Sequence, residues 1–297
     1  MVRFENKKIF FAIDAKINKQ YLNKYIAVLV HKTDKKGTLY YIRTEEIDMN
    51  SKIPHNLYEE INTFEQLKDY DIYPLPNMDD DDQMRRSVVY AVGQAGSGKT
   101  TLSAIFAKMY HLLYPTSEIF YFTMNPAKNE RAFTEYEVEH IIKRVDVNKF
   151  ADNWIKENEK GELYNDDSRL KNSLQIFDDL DVLEGDRKKS MWKYITFINE
   201  SLRKLNVSCY VMAHIPTDGL ITRKFLKEIK IYVIYPFLNR RACQYDRVLY
   251  AYLQYKRKEV ELICNLPSRW IWLNETKRVI ITENQIFSSD ILNDLIN

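Results

Sequence analysis

The sequence predicts an α/β fold with a mainly parallel sheet covered on both faces by helices, preceded by a small β-rich unit. Three observations carry this expectation. From Ser87 onward, the short apolar runs "SVVYAV", "EIFYFT", "SLQIFDD", "VSCYVMAH" and "IYVIYP" alternate with helical stretches. Near-continuously apolar strands separated by helices belong to parallel sheets buried on both sides. Before Ser87, "KKIFFAID", "KYIAVLVHK" and "TLYYIRTEEI" are rich in β-branched and aromatic residues, with the turn signal "TDKKG" between the last two. Between these regions, "PLPNMDDDDQ" joins two prolines to four consecutive aspartates. Fixed φ and like-charge repulsion there disfavour both helix and strand.

The 297-residue chain therefore divides into residues 1–85, a β-rich accessory domain ending in an acidic linker near 74–85, and residues 86–297, the α/β domain. Within the first part the three strands are expected to form a meander, and "NLYEEINTFEQLKDY" reads as one helix. In the second part helices are expected at 99–113, within 130–158, at 186–205 and at 222–229. "RWIWLNETKRVIITE" reads as two strands around a polar turn that extend the sheet, and "SSDILNDLIN" as a short helix capped by Ser289 or Asp290.

Composition narrows the class. Hydrophobic residues make up 45% and charged residues 29% of the chain, as in ordinary soluble proteins. No apolar run approaches the roughly 18 residues of a membrane span, so no membrane partner is expected. The N-terminal apolar patch is too short for a signal-peptide core. Cys209, Cys243 and Cys264 are odd in number, widely spaced and without a histidine cluster, which argues for buried thiols in a reducing compartment and against zinc or disulfides. A net charge of +2 means that any nucleic-acid surface has to be local.

The stretch "GQAGSGKTT", residues 93–101, satisfies G-x-x-x-x-G-K-[ST] through Gly93, Gly98, Lys99 and Thr100, with a strand before it and a helix after. In such a loop the glycines let backbone N–H groups turn inward around phosphate, and the helix N-terminus adds favourable potential. Gly96 and Ser97 fill the tight interior, and Thr101 completes the nucleotide-binding set. Lys99 is expected to reach the β and γ oxygens of ATP, and the Thr100 hydroxyl to ligate Mg²⁺. In "LQIFDDLD", a buried strand ends in two acids at the sheet edge where open α/β sheets bind ligands. There Asp178 is expected to hold the Mg²⁺ shell and Asp179 to orient or deprotonate the attacking water. "VSCYVMAH" ends in His214, which senses the γ-phosphate or positions water if its strand neighbours that of Asp178, and is otherwise a surface or capping residue.

Together with "RKLNVSCYVMAH", "TDGLITRKFLKEIKIYVIYP" and "NLPSRWIWL", these motifs resemble the viral genome-packaging ATPases of the FtsK/HerA superfamily, nearest the poxvirus-type and giant-virus branch. The likeness spans roughly residues 86–285. It implies a RecA-like P-loop ATPase core working with ATP and Mg²⁺. It also implies a homo-oligomeric ring, commonly a hexamer, that threads double-stranded DNA without reading its sequence and works with a capsid partner. The location implied is the host-cell cytoplasm, with association to the virion. Arg203 matches the arginine that precedes the sensor strand in that branch and is the candidate finger on a neighbouring subunit's γ-phosphate. Helix-end charge is the alternative for it, and Arg223, Arg240, Arg241 and Arg269 are rivals. Asp179 departs from the Glu that many superfamily members carry. Basic runs at 185–189 ("GDRKK") and 221–224 ("ITRK") are the candidate DNA contacts, or else solvated surface. Residues 1–85 resemble no named family.

Two other functions stay open from the sequence. One is a small-molecule kinase acting on nucleosides or nucleotides, with "LNRRACQYDR" as the nearest thing to a lid. The other is a nucleotide-dependent structural or regulatory protein whose β-rich unit docks a partner.

Overall fold

The computed structural model describes residues 7–34, 37–62, 68–79, 86–159, 171–178, 180–201, 205–217, 219–236 and 245–294. The N-terminal strands are β1 (Lys7–Asp14), β2 (Tyr25–His31), β3 (Leu39–Asp48), β4 (Glu60–Asn62) and β5 (Tyr70–Pro74). Four of them form an antiparallel sheet in the order β1-β3-β2-β5. This is not the expected meander, because β3 inserts between β1 and β2. The reason is local. Only the β2–β3 connection is a tight turn, closed by Asp34, whose carbonyl accepts from Gly37 N at 3.1 Å and whose carboxylate accepts from Thr38 N at 3.1 Å. The β1–β2 connection instead carries a 3₁₀ turn at Lys19–Lys24, too long a path for strands to fold straight back.

The fourth strand corrects, at 60–62, the helix expected in "NLYEEINTFEQLKDY", of which 63–67 lie outside the described residues. Residues 60–62 are extended and pair antiparallel with the chain near 285–287. Ile61 is fully buried there. A distant partner, absent from any local window, overrides the helical propensity.

Next come β6 (Val88–Val92), α1 (Lys99–Leu113), β7 (Glu118–Thr123), α2 (Arg131–Glu135), β8 (Ile142–Asp146), α3 (Val147–Glu159) and β9 (Ser173–Phe177). They are followed by α4 (Gly185–Ser201), β10 (Val207–Ala213), α5 (Gly219–Glu228), β11 (Ile231–Ile234), α6 (Tyr245–Ala251) and α7 (Arg257–Asn265). The chain finishes with β12 (Ile271–Asn274), β13 (Val279–Thr282), β14 (Gln285–Ser288) and α8 (Ile291–Asp294). The large sheet has ten strands in the order β4-β14-β13-β12-β11-β6-β10-β9-β7-β8. From β11 to β8 every pairing is parallel. From β11 to β4 every pairing is antiparallel. The fold is thus α/β, with a mostly parallel central sheet and a small antiparallel sheet before it. Where the sequence predicted only helices within 130–158, the strand β8 lies between α2 and α3.

Period-two alternation sorts the central strands between two cores. Val89 and Ala91 of β6, and Tyr210 and Met212 of β10, face the core that includes α1. Tyr90 and Val92 of β6, and Cys209, Val211 and Ala213 of β10, face the core built by α3, α4 and α5. Helix α1 buries Leu102, Ser103, Ala104, Ile105, Phe106, Ala107, Met109 and Tyr110. A helix that buries more than one face needs more than one cover. Its second cover is the N-terminal sheet, whose Phe11, Leu29, Ile42 and Ile72 belong to the same core. The order of layers is therefore N-terminal sheet, α1, central sheet, then α3 to α5. Among the described residues no helix is long and apolar enough to cross a membrane.

Candidate nucleotide site

The loop between β6 and α1 is shaped by three glycines. Gly96 has φ of 75° and Gly98 φ of 99°, both in the left-handed region that side chains resist. A Cβ on Gly93 would lie 2.7 Å from Ser97 Oγ and 2.9 Å from Tyr235 Cβ, so only hydrogen fits there. Gly93 N donates to Ala213 O of β10 at 3.1 Å, fixing the start of the loop against the neighbouring strand. At the other end Gly98 caps α1 with no side-chain acceptor, so the first-turn N–H groups face the loop's hollow. Lys99 is buried, and its Nζ donates to Gly93 O at 2.6 Å and Gln94 O at 3.0 Å. Ser97 Oγ is buried with no hydrogen-bond partner among the described residues. Thr100 and Thr101 are half-buried on the first turn of α1.

Asp178 follows β9 at the C-terminal edge of the parallel strands. Its N–H donates to Phe122 O at 3.0 Å, and its side chain is buried, with 8% exposure. The Tyr121 hydroxyl of β7 donates to Asp178 Oδ2. Burial first, and then the neighbouring Asp178 charge, raise the Tyr121 hydroxyl far above the usual tyrosine range, so it remains a donor at any working pH. Asp179 lies outside the described residues.

β10 runs between β6 and β9, so His214 at its end stands between the loop strand and the Asp178 strand. That is the adjacency on which its sensing role depended. The backbone there is held by Asp181, whose Oδ2 accepts from His214 N at 2.5 Å and Ile215 N at 3.3 Å. From the loop strand, Tyr90 OH donates to Ile215 O at 3.1 Å. Sequence reasoning missed Tyr121, Asp181 and Tyr90. The signal for Asp181 was present as the third acid of "DDLD", whereas both tyrosines read as core aromatics.

Arg203 lies outside the described residues, as do Arg240, Arg241 and Cys243. Arg223 is exposed on α5, as are Lys224 and Lys227. Arg269 lies over its own chain's loop, since a Cβ on Gly98 would sit 3.7 Å from Arg269 Cδ. The basic run 185–189 is the first turn of α4 rather than a loop. There Arg187 makes a two-point pair with Asp152 at 2.7 and 2.8 Å, and Lys189 reaches Asp186 at 3.3 Å. Cys209 is fully buried, and burial pushes its thiol up to about 12, consistent with a packing role.

Thr100 and Asp178 offer hard oxygen donors of the kind Mg²⁺ takes. Among the described residues no cluster of three or more His, Cys, Asp or Glu could hold a metal. Mg²⁺ in phosphoryl-transfer sites is bound through one or two carboxylates plus substrate phosphates, so a sparse protein donor set fits that ion.

A parallel sheet carrying a glycine loop at the end of one strand, an acid at the end of another and a third strand between them defines a P-loop α/β architecture. No protein-family model matches the chain. A sequence relative is the uncharacterized protein V3 of Sputnik virophage, 25% identical over 208 residues, which is 68% of this chain and 74% of the relative. Among solved structures, the chain is similar to the genome packaging NTPase B204 of Sulfolobus turreted icosahedral virus 2 in complex with AMPPCP. That likeness has a TM-score of 0.42 and 10% identity, and covers 67% of this chain and 97% of that one. It is also similar to the pCW3 conjugation coupling protein TcpA with ATPγS, with a TM-score of 0.45 and 11% identity over 100% of this chain and 92% of that one.

Proposed function

We propose that the chain is an ATP-hydrolysing motor that moves double-stranded DNA, and that its task is to package viral genomes. The observation that supports this most directly is the meeting of the loop 93–101, Asp178 and His214 at one edge of three adjacent strands, β6, β10 and β9. The motor reading, the ring of copies, the capsid partner and the host-cytoplasm location rest on the sequence resemblance.

In this reading Lys99 exchanges the Gly93 and Gln94 carbonyls for the β and γ oxygens of ATP. Ser97, Gly96 and the first-turn amides of α1 take the phosphate chain. Thr100 and Asp178 hold Mg²⁺, which when bound spreads the charge developing on the phosphates. Tyr121 keeps Asp178 aimed. Asp179 orients the attacking water, and His214, fixed through Asp181, reports the state of the γ-phosphate. Arg203 of a neighbouring copy completes the charge on the transferred group.

The test is the rate of ATP hydrolysis against added double-stranded DNA of unrelated sequences. DNA of any sequence should raise the rate, and Lys99→Ala should lower it by about 100-fold or more. Hydrolysis that stays unchanged by DNA at every protein concentration would sink the motor. A phosphorylated nucleoside or nucleotide product would instead identify a kinase.

A further inference from the structure

A cleft of about 350 Å³ opens beside the loop. That volume falls within the roughly 300–1,000 Å³ of small-molecule sites. Its floor is one stripe of α1, Gly98, Thr101, Leu102 and Ile105, spaced as a single helical face. One wall is Asp71 and Tyr73 of β5, from the N-terminal sheet. The facing wall is Arg269 and Glu283 from the C-terminal strands, and Tyr136, just after α2, closes the end. Neither Lys99 nor Asp178 lines it.

We propose that this cleft takes the nucleoside half of the triphosphate, so that the N-terminal β-rich unit forms part of the nucleotide site. The inference rests on the phosphate reading of the loop. Loop amides cradle the α and β phosphates while the lysine reaches β and γ. The α end therefore leaves past the start of α1, at Gly98 and Thr101, where the cleft begins. The walls have the matching chemistry. Half-buried Tyr136 offers an aromatic face to a base, and the carboxylates of Asp71 and Glu283 accept from sugar hydroxyls. Arg269 is held in place by Glu283, whose carboxylate accepts from Arg269 N at 2.8 Å and pairs with its guanidinium at 3.7 Å. The walls also sense one another. Burial and then the Asp71 charge raise the Tyr73 hydroxyl. Burial and then the Glu135 charge raise that of Tyr136, against a hydrogen bond with Tyr73.

Calorimetric titration of the full chain with Mg-ATP and, separately, with Mg-tripolyphosphate tests this. Wild type should bind both. Tyr136→Ala and Asp71→Asn should weaken ATP by about tenfold and leave tripolyphosphate unchanged, and Tyr136→Phe should restore ATP binding. Asp71 has a side chain that is 45% exposed, so its variant carries the comparison if Tyr136→Ala loses its melting transition. Variants that leave ATP binding unchanged, or weaken both ligands alike, overturn the nucleoside assignment while the phosphate loop stands. A wild-type chain that binds neither ligand overturns the phosphate reading and this assignment with it.

Discussion

A carboxylate buried at the end of a strand needs a donor, because an unmet charge in that setting costs several kcal/mol. Tyr121 supplies one to Asp178. Tyr121→Phe keeps the ring packed against Phe133 and removes only the hydroxyl. The expected cost is about 1–3 kcal/mol of stability, read as a lower melting temperature. ATP turnover should fall more than ATP affinity, since the loop 93–101 is untouched. Unchanged turnover would show that Asp178 needs no such partner. The loop and the start of α1 at Lys99 and Thr100 were legible in the sequence because a chain that turns through positive φ and leaves no room for a Cβ demands glycines at fixed spacing. Acids after a strand are common loop residues, and Asp178 stood out only because the glycine loop 93–101 precedes it in the same chain. Tyr121 was not legible, nor was the partner of the third acid, Asp181, since the groups they bond are 57 and 33 residues away and no local pattern marks a hydrogen bond across a sheet.

The same division between local and distant causes holds among the elements. β6, β7, β9, β10 and β11 were legible as apolar runs because strands buried on both faces leave little room for polar residues. β8 carries Lys143, Arg144 and Asp146 in five residues and so reads as part of a helix. β4 is three residues long and owes its form to β14. Because Ile61 is fully buried between the two sheets, Ile61→Ala should cost about 2–5 kcal/mol. It should also speed amide exchange in β14 as well as in β4. Exchange that rises only in residues 60–62 would mean that this strand is a passive rider on the large sheet.

Across the whole molecule the N-terminal sheet lies on α1 and the central sheet lies beneath it, so the helix that begins at the loop 93–101 is covered from two sides, with Lys108 and Leu112 left exposed. The layer order could not be read from the sequence, where residues 1–85 look like a separate unit. The clue was "LSAIFAKMY", in which every residue but Lys108 is small or apolar, a wider apolar surface than a single sheet covers. The strand order was equally hidden, since alternation of strands and helices gives a parallel sheet without saying that β10 enters between β6 and β9.

Both borders of the ten-stranded sheet are blunt among the described residues. At one, a short β4 gives little backbone to pair with. At the other, β8 bristles with ions, Lys143 toward Glu118 and Arg144 toward Glu139. Such borders discourage strand-to-strand joining. Copies of this chain that meet at the borders of this sheet should therefore do so through side chains, in joints that electrolyte can loosen. Mass photometry across a salt series should show the assembled fraction falling smoothly and recovering on dilution, whereas salt-indifferent, irreversible aggregates would reveal borders that zip together after all.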